Sequence, residues 1–453
     1  VVGFRVVEGR VMRIQQVRRP LLLTLILAGA IGSVGLGGAD GEPRPYPRTL
    51  GEVKAMTQAL APRKGAAASH RNEFIFRLKQ YRFLCGVPYE DLAWDAKCAE
   101  LAEHASSICA KLNKMTHTPE KPPGMSDAEY ELGKAGAGQS NLFTGLTVPG
   151  PCVDGWMEDS DPKNIDRVGH RRWCLNPSML KSAFGAVGNY AAMYAFDKSN
   201  TAVPEWDFVA YPARGYMPLQ FFGDKHAWSV SPNMAKYQAP VESQIKVSIQ
   251  PADAKLSPAG AALKLDYFHV DGGGFGSGPA IIFRPAGFAL QEGAFLVDIT
   301  GLKPKTGEPA PLRYVVHFVN LQKVPDSPEG AGIYTRYFQR RMDLIQALPD
   351  KVDQLEELGD LLESDLFRQI EPGVRASIQK SFAELLKEPP LKREHDSSVR
   401  YRQLVAMEAK AGKSRNQLGQ VALSYRDLSL VFKETRAGKK AAEDFERLKT
   451  QLQ

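Results

Sequence analysis

Residues 78–110 read LKQYRFLCGVPYEDLAWDAKCAELAEHASSICA, and the spacing of their apolar residues decides the fold class. Phe74, Leu78, Tyr81 and Phe83 recur on one side of a helix that begins near Asn72. Gly86-Val87-Pro88 stops it, because proline has no backbone N–H to continue the ladder. A second helix starts near Trp94-Asp95 and turns Ala99, Leu101, Ala102, Ala105 and Ile108 toward a core. Residues 113–150 are rich in Gly and Pro and read as irregular. A third, short helix holds Trp156, and residues 183–196 (AFGAVGNYAAMYAF) alternate like a strand. Helix, helix, loop, helix, strand is an α+β order.

Toward the C-terminus the period changes. Between about Glu205 and Lys323 apolar residues recur every second position: Ile245, Val247, Ile249; Leu263, Leu265, Tyr267; Phe295, Val297, Ile299; Val315, His317, Val319. Turn-rich segments separate these runs, which predicts an all-β sandwich over 205–325. After Pro328 the pattern is helical to the end, with segments near 333–370, 372–388, 397–411 and 415–452 separated by Pro372, Pro389-Pro390 and Gly412, so 330–453 reads as an α-helical region. The last segment reads as a hairpin with Thr435 as an N-cap. A chain of 453 residues accommodates about three domains.

Toward the N-terminus, Arg13, Arg18 and Arg19 precede the apolar run LLLTLILAGAIGSVGL, which ends in Gly37-Gly38-Ala39. A basic start, a short apolar stretch and a small-residue site make an export signal over 1–39, with cleavage after Ala39. The run is shorter than the ~20 residues of a membrane span, and an uncleaved anchor is the alternative. Residues 40–69, with Pro43, Pro45, Pro47 and Pro62, read as a linker. The net charge of +7 owes much to five arginines within residues 1–39, so no dense basic stripe remains to neutralise phosphates and nucleic-acid binding is excluded. No later run is long enough to span a bilayer once the signal is gone. Secreted or periplasmic localisation follows from the signal.

All five cysteines, Cys85, Cys98, Cys109, Cys152 and Cys174, fall in one stretch, and export would permit disulfides. Cys98 and Cys109 share a helix at ~16 Å, too far to bridge each other. Two bridges and five buried thiols both fit the sequence.

The residues that could carry chemistry are His117 in NKMTHTP, GQSNL from Gly138, WMED from Trp156 to Asp159, and VGHRRWCLNP over 168–177. Two imidazoles and one or two carboxylates can ligate a borderline metal such as zinc, or let one imidazole act as a general base oriented by an acid. The two histidines lie far apart in sequence and form no compact metal motif.

Arg82, Gly86-Val87-Pro88, Leu92-x-Trp94-Asp95 and the later WMED and GHRRW segments together resemble the CAP superfamily of cysteine-rich secretory, antigen 5 and pathogenesis-related proteins, in a bacterial branch with an appended β-sandwich. The resemblance covers roughly 70–200 and implies an α-β-α sandwich with a cleft of two His and two acids. It places His117 and His170 as the two imidazoles, and as the ligands if a divalent cation such as zinc binds. It places Asp159 at the W-x-x-E acid, with Glu158 adjacent. At the G-E-N element either Ser140 or Gln139 takes the position of the family's Glu, so one acid is missing. The resemblance implies an exported, non-enzymatic binding protein for a protein, lipid or cell-envelope ligand. The alternative is a secreted metal-assisted hydrolase or peptidase.

Other features have plainer readings. Arg171-Arg172 is expected as a solvated surface pair. Trp94, Trp156 and Trp173 are expected to pack in or at the rim of a core. DGGGFGSG over 271–278 lacks the Lys-Ser/Thr of a phosphate loop and reads as a strand connection. His226 and His269 have no partner apparent in the sequence.

Overall fold

Thr49 opens the first helix, α1 (Leu50–Ala59): its hydroxyl accepts the Glu52 N–H at 3.1 Å while the Glu52 carboxylate accepts the Thr49 N–H at 2.7 Å. Val53, Ala55 and Met56 of this helix are buried, so the stretch read as a linker over 40–69 contains a packed element. The structure, a computed structural model, describes residues 46–61, 70–412 and 414–452. The export signal read over 1–39 lies outside them.

The next elements are α2 (His70–Leu84), β1 (Ala93–Trp94), α3 (Ala96–Leu112), α4 (Asp127–Gly138), β2 (Ser140–Thr144), α5 (Pro149–Glu158), α6 (Gly169–Cys174), β3 (Lys181–Ser182), β4 (Phe184–Val187) and β5 (Tyr190–Tyr194). Residues 113–150 are not irregular throughout: they hold α4 and β2, and α4 was masked by the glycines that let it pack. A Cβ at position 136 would lie 2.1 Å from the Leu101 carbonyl oxygen on α3. The single strand read over 183–196 is a hairpin, turned at Gly188 with φ +59°.

Strands β2, β5 and β4 form an antiparallel sheet in that order, with helices on both faces. On one face α3 approaches β4 so closely that the Ser106 hydroxyl donates to the Gly185 carbonyl at 2.8 Å, and a Cβ at 185 would meet the Glu103 nitrogen at 2.3 Å. On the other face Phe184 meets Phe74 of α2 at 5.8 Å and Trp156 of α5 at 6.4 Å between ring centroids. Trp156 is 1% exposed and its indole N–H donates to the Leu142 carbonyl at 3.0 Å, so both its apolar body and its donor are satisfied. Arg82, wholly buried, donates to the Pro88, Cys174, Asn176 and Met179 carbonyls and ties the end of α2 to the end of α6. Burial pulls its guanidinium down to about 9.

Eight strands follow: β6 (Phe208–Tyr211), β7 (Gly215–Pro218), β8 (Trp228–Pro232), β9 (Lys246–Ala252), β10 (Leu265–Asp271), β11 (Ala280–Pro285), β12 (Gly293–Thr300) and β13 (Leu312–Val319). They make two four-stranded sheets, ordered β10-β11-β8-β6 and β7-β13-β12-β9, antiparallel except for the β7–β13 pair. Their inner faces meet through Trp228, whose ring lies 6.2 Å from Phe295 and 5.9 Å from Phe318 on the opposite sheet.

The pair Arg171-Arg172 is not solvated, contrary to expectation: the two residues are 1% and 2% exposed. Arg171 reaches the Ala227 carbonyl at 2.8 Å and the Ser229 hydroxyl at 3.0 Å, and stacks 4.5 Å over Tyr211. Arg172 pairs with Asp271 and donates to the Gly273 and Gly278 carbonyls of the Gly-rich connection between β10 and β11. That connection needs its glycines, because a Cβ at 276 would lie 2.1 Å from the Arg172 carbonyl oxygen. The strand-connection reading of 271–278 thus gains a second role, as the socket for a buried arginine.

Six helices close the chain: α7 (Gly330–Gln346), α8 (Lys351–Leu362), α9 (Pro372–Leu385), α10 (Pro389–Ala411), α11 (Arg415–Val431) and α12 (Arg436–Leu452). The segment read as helical over 333–370 divides at Asp350, whose carboxylate accepts the Val352 and Asp353 N–H groups and starts α8. Pro389-Pro390 opens α10 instead of lying between helices, since the first turn has no use for those N–H groups. Thr435 accepts the Gly438 N–H at 3.0 Å, as an N-cap does. The molecule is thus α+β, and none of the described helices is long and apolar enough to cross a membrane.

Candidate functional site

Helix α5 ends at Asp159, held in the left-handed region at φ 44° and ψ 33°. That turn throws the carboxylate back toward α6. One oxygen accepts the backbone N–H groups of His170 at 2.9 Å and Arg171 at 3.3 Å; the other accepts His170 Nδ1–H at 2.7 Å. Asp159 is 3% exposed, while the His170 side chain keeps 22% of its surface in solvent. The open N–H groups at the start of a helix favour an anion there, so the acid is held by local backbone as well as by the imidazole.

The geometry fixes the tautomer. With Nδ1–H donated to a carboxylate, neutral His170 carries its lone pair on Nε2. His117 reaches the same state by another route: its Nδ1 lies 2.8 Å from the Ala137 carbonyl, which can only accept, so its lone pair also sits on Nε2. His117 is exposed in the loop after α3.

Residues 137–141 connect the two histidines. His117 closes on Ala137 at one end of this short segment. At the other, Asn141 is 1% exposed and donates through Nδ2 to the His170 carbonyl at 3.0 Å and to Cys174 Sγ at 3.7 Å. Asn141 is a positioning residue that spacing gave only as an anchor for the motif. Between the two contacts lie the candidates for the missing acid. Gln139 is partly exposed and accepts the Tyr194 hydroxyl at 3.1 Å. Ser140 is 3% exposed, opposite Tyr194 in the sheet, and its Oγ has no hydrogen-bond partner among the described residues. Neither brings a negative charge.

Glu158 is exposed; it is its backbone carbonyl, not its carboxylate, that joins the network, by accepting from Arg171 and from the Ser160 hydroxyl. Ser160 in turn accepts the Ala227 N–H at 2.8 Å. The segment bearing Asp159 is therefore held to β8 and its approach by hydrogen bonds on either side of the acid. Sequence reasoning missed Ser160 altogether, for a lone serine after an acid carries no signal.

Among the described residues no group of three or more His, Cys, Asp or Glu is arranged to hold a metal ion. His117 and His170 each leave an Nε2 lone pair free, and a closed zinc site needs four protein ligands, so two at most would come from this pair. All five cysteines carry free thiols, and burial pushes Cys85 and Cys98 up to about 12, far from the thiolate that catalysis or metal binding requires. His226 and His269 gain partners that the sequence hid: His226 Nδ1 lies 3.1 Å from the Tyr211 hydroxyl, and His269 Nδ1 lies 2.8 Å from Glu242.

Comparison of the chain with protein-family models, with curated proteins and with solved structures finds no match.

Proposed function

We propose that this chain is an exported CAP-type protein, its α-β-α part spanning roughly 70–200, that uses a cleft beside His117 and His170 to bind a protein, lipid or cell-envelope ligand without turning it over. The observation that carries this reading is the state of Asp159. Its carboxylate already takes three donors and is shut away from solvent, so it orients His170 and is not itself available to activate water. Ser140 and Gln139 supply no second acid in its place, and hydrolysis needs a further group to activate water or stabilise the transition state.

One observation favours the alternative, a secreted metal-assisted hydrolase or peptidase. A carboxylate behind Nδ1 with Nε2 outward is the arrangement that serves both a general base and a zinc-ligating imidazole. The two readings separate in one experiment: metal analysis of the purified full chain, with peptide hydrolysis by the wild type and by His170→Ala. The binding reading expects no turnover in either protein. One zinc per chain, with hydrolysis that disappears in His170→Ala, would replace it by the hydrolase.

A further inference from the structure

A second cleft, of about 480 Å³, opens where the turn after α2 faces the segment leading into β6, and none of His117, Gln139, Ser140, Asp159 and His170 lines it. Tyr89 and Pro88 line one part of it, Thr201 and Trp206 another, and Arg48 lines it too. The Arg48 guanidinium lies 4.5 Å from the centroid of Phe83, a ring that Tyr89 meets edge-on at 5.4 Å. Stacking of this kind holds the plane of the group and leaves its five N–H donors to the edges.

Those donors have no anion. Among the described residues no carboxylate lies within ion-pair distance of Arg48, and the acids around it are engaged elsewhere. Glu52 caps α1, Asp91 pairs with Arg340, and Glu205 pairs with Lys236 at 2.7 Å. Glu90, also on the wall, takes the Tyr89 hydroxyl at 3.3 Å. The one further charge acting on Arg48 from β7's approach is another cation, Arg214, which also has no ion-pair partner among the described residues. Burial pushes the Arg48 guanidinium below its ordinary value, against the smaller opposing pull of Tyr89, Cys85 and Glu52.

We propose that this cleft binds a small molecule made of an apolar or aromatic body and one carboxylate or phosphate group, the anion on Arg48 and the body against Tyr89 and Trp206. A cavity of this size suits a small organic ligand, and on its wall, beside Pro88, Tyr89 and Trp206, Arg48 is the cation while Glu90, Asp91 and Glu205 are engaged by other groups. A planar guanidinium matches the two oxygens of a carboxylate or phosphate.

Calorimetric titration of the full chain with three probes tests it: indole-3-acetate, phenyl phosphate and the neutral indole-3-acetamide. At least one anionic probe binds, the amide binds at least about tenfold more weakly, and the preferred anion says whether carboxylate or phosphate is the group recognised. Arg48→Met, which keeps the apolar stem over Phe83, loses about tenfold or more in affinity for the anion. Should Arg48→Met fail to fold by circular dichroism, Ala202→Trp, a change at an exposed residue of the cleft wall, takes its place and abolishes binding by filling the space. Absence of binding by the wild type, equal affinity for the amide, or unchanged affinity in the folded variant overturns the proposal.

Discussion

The β sheets and the last three helices are fastened to the rest of the chain by different chemistry. The β sheets are joined through Arg171 and Arg172, both buried, whose guanidinium donors end mostly on backbone carbonyls. The last three helices have a hydrophobic core of their own, built from Leu418, Val421, Tyr425, Leu428, Ala441 and Leu448. Their links to the rest include ion pairs near the surface: Arg436 with Asp350 and Asp353, Arg402 with Glu363, and Lys351 with Glu388. A buried cation that loses its acceptors, or acceptors that lose their cation, leaves several polar groups stranded in a dry place. An exposed pair that breaks is rehydrated at little cost. The β sheets should therefore behave as part of the domain bearing His170, and the last helices as an attachment that conditions can loosen.

The largest effect should come from Arg171. Its side chain serves the Met157, Glu158 and Ala227 carbonyls and the Ser229 and Ser160 hydroxyls at once. Arg171→Met keeps much of the volume and removes every one of those donors. We expect a loss of about 3 to 5 kcal/mol in urea unfolding. Because Met157, Glu158 and Ser160 flank Asp159, the His170 Nδ1–H signal in proton NMR should broaden or shift in any folded fraction. A loss below ~1 kcal/mol would mean that the joint is no stronger than a surface contact, and the contrast between the two attachments would fail.

How much of this was legible follows the same division between local and distant causes. The helices α2 and α3 and the strands β9, β10, β12 and β13 announced themselves by period, since each buries one face against a partner that need not be known. Helix α4 was hidden because Gly133 and Gly136 dilute its pattern, although Ser126-Asp127-Ala128-Glu129 spells the capping box that starts it. The Asp159–His170 contact was legible only as a pair of residue types; the left-handed turn at Asp159 that makes it is an arrangement few side chains adopt. The fate of Arg171 and Arg172 could not be read at all. A charged pair is usually wet, and what buries this one is a surface contributed by residues 56 to 106 positions further along the chain.

Acid should weaken the β joint by an intermediate amount. His226 faces the Tyr211 hydroxyl, Arg171 and Asp224, and burial, helped by Arg171, pulls it down to about 3. In the unfolded chain it would take a proton near pH 6.5. Between those values the unfolded state binds the extra proton, so the stabilisation present above pH 6.5 is lost as the pH falls toward 3. The slope is at most about 1.4 kcal/mol per pH unit, and less where solvent reaches the ring. Urea midpoints at pH 7, 6, 5 and 4 should fall more steeply for the wild type than for His226→Asn. Equal slopes would place the acid sensitivity in other groups.

The smallest effect belongs to the last helices. Arg436, nearly half exposed, pairs with Asp353 at 2.6 Å and Asp350 at 3.0 Å, and Asp353 also holds Arg71 at 3.0 Å. Burial alone would raise the Asp353 carboxyl, but Arg436 and Arg71 outweigh it and hold the group low, so the cluster is charged at neutral pH. Arg436→Gln should cost only about 0.5 to 1 kcal/mol, because Arg71 still neutralises Asp353 and water reaches the rest. Salt sharpens the comparison. At 1 M the screening length falls to about 3 Å, so the difference between Arg436→Gln and wild type should shrink, whereas the loss in Arg171→Met should persist. Thermal unfolding of both variants at 0.05 M and 1 M salt measures this. If Arg171→Met proves the more salt-sensitive of the two, its guanidinium is hydrated, and the joint beside His170 is not the dry one described above.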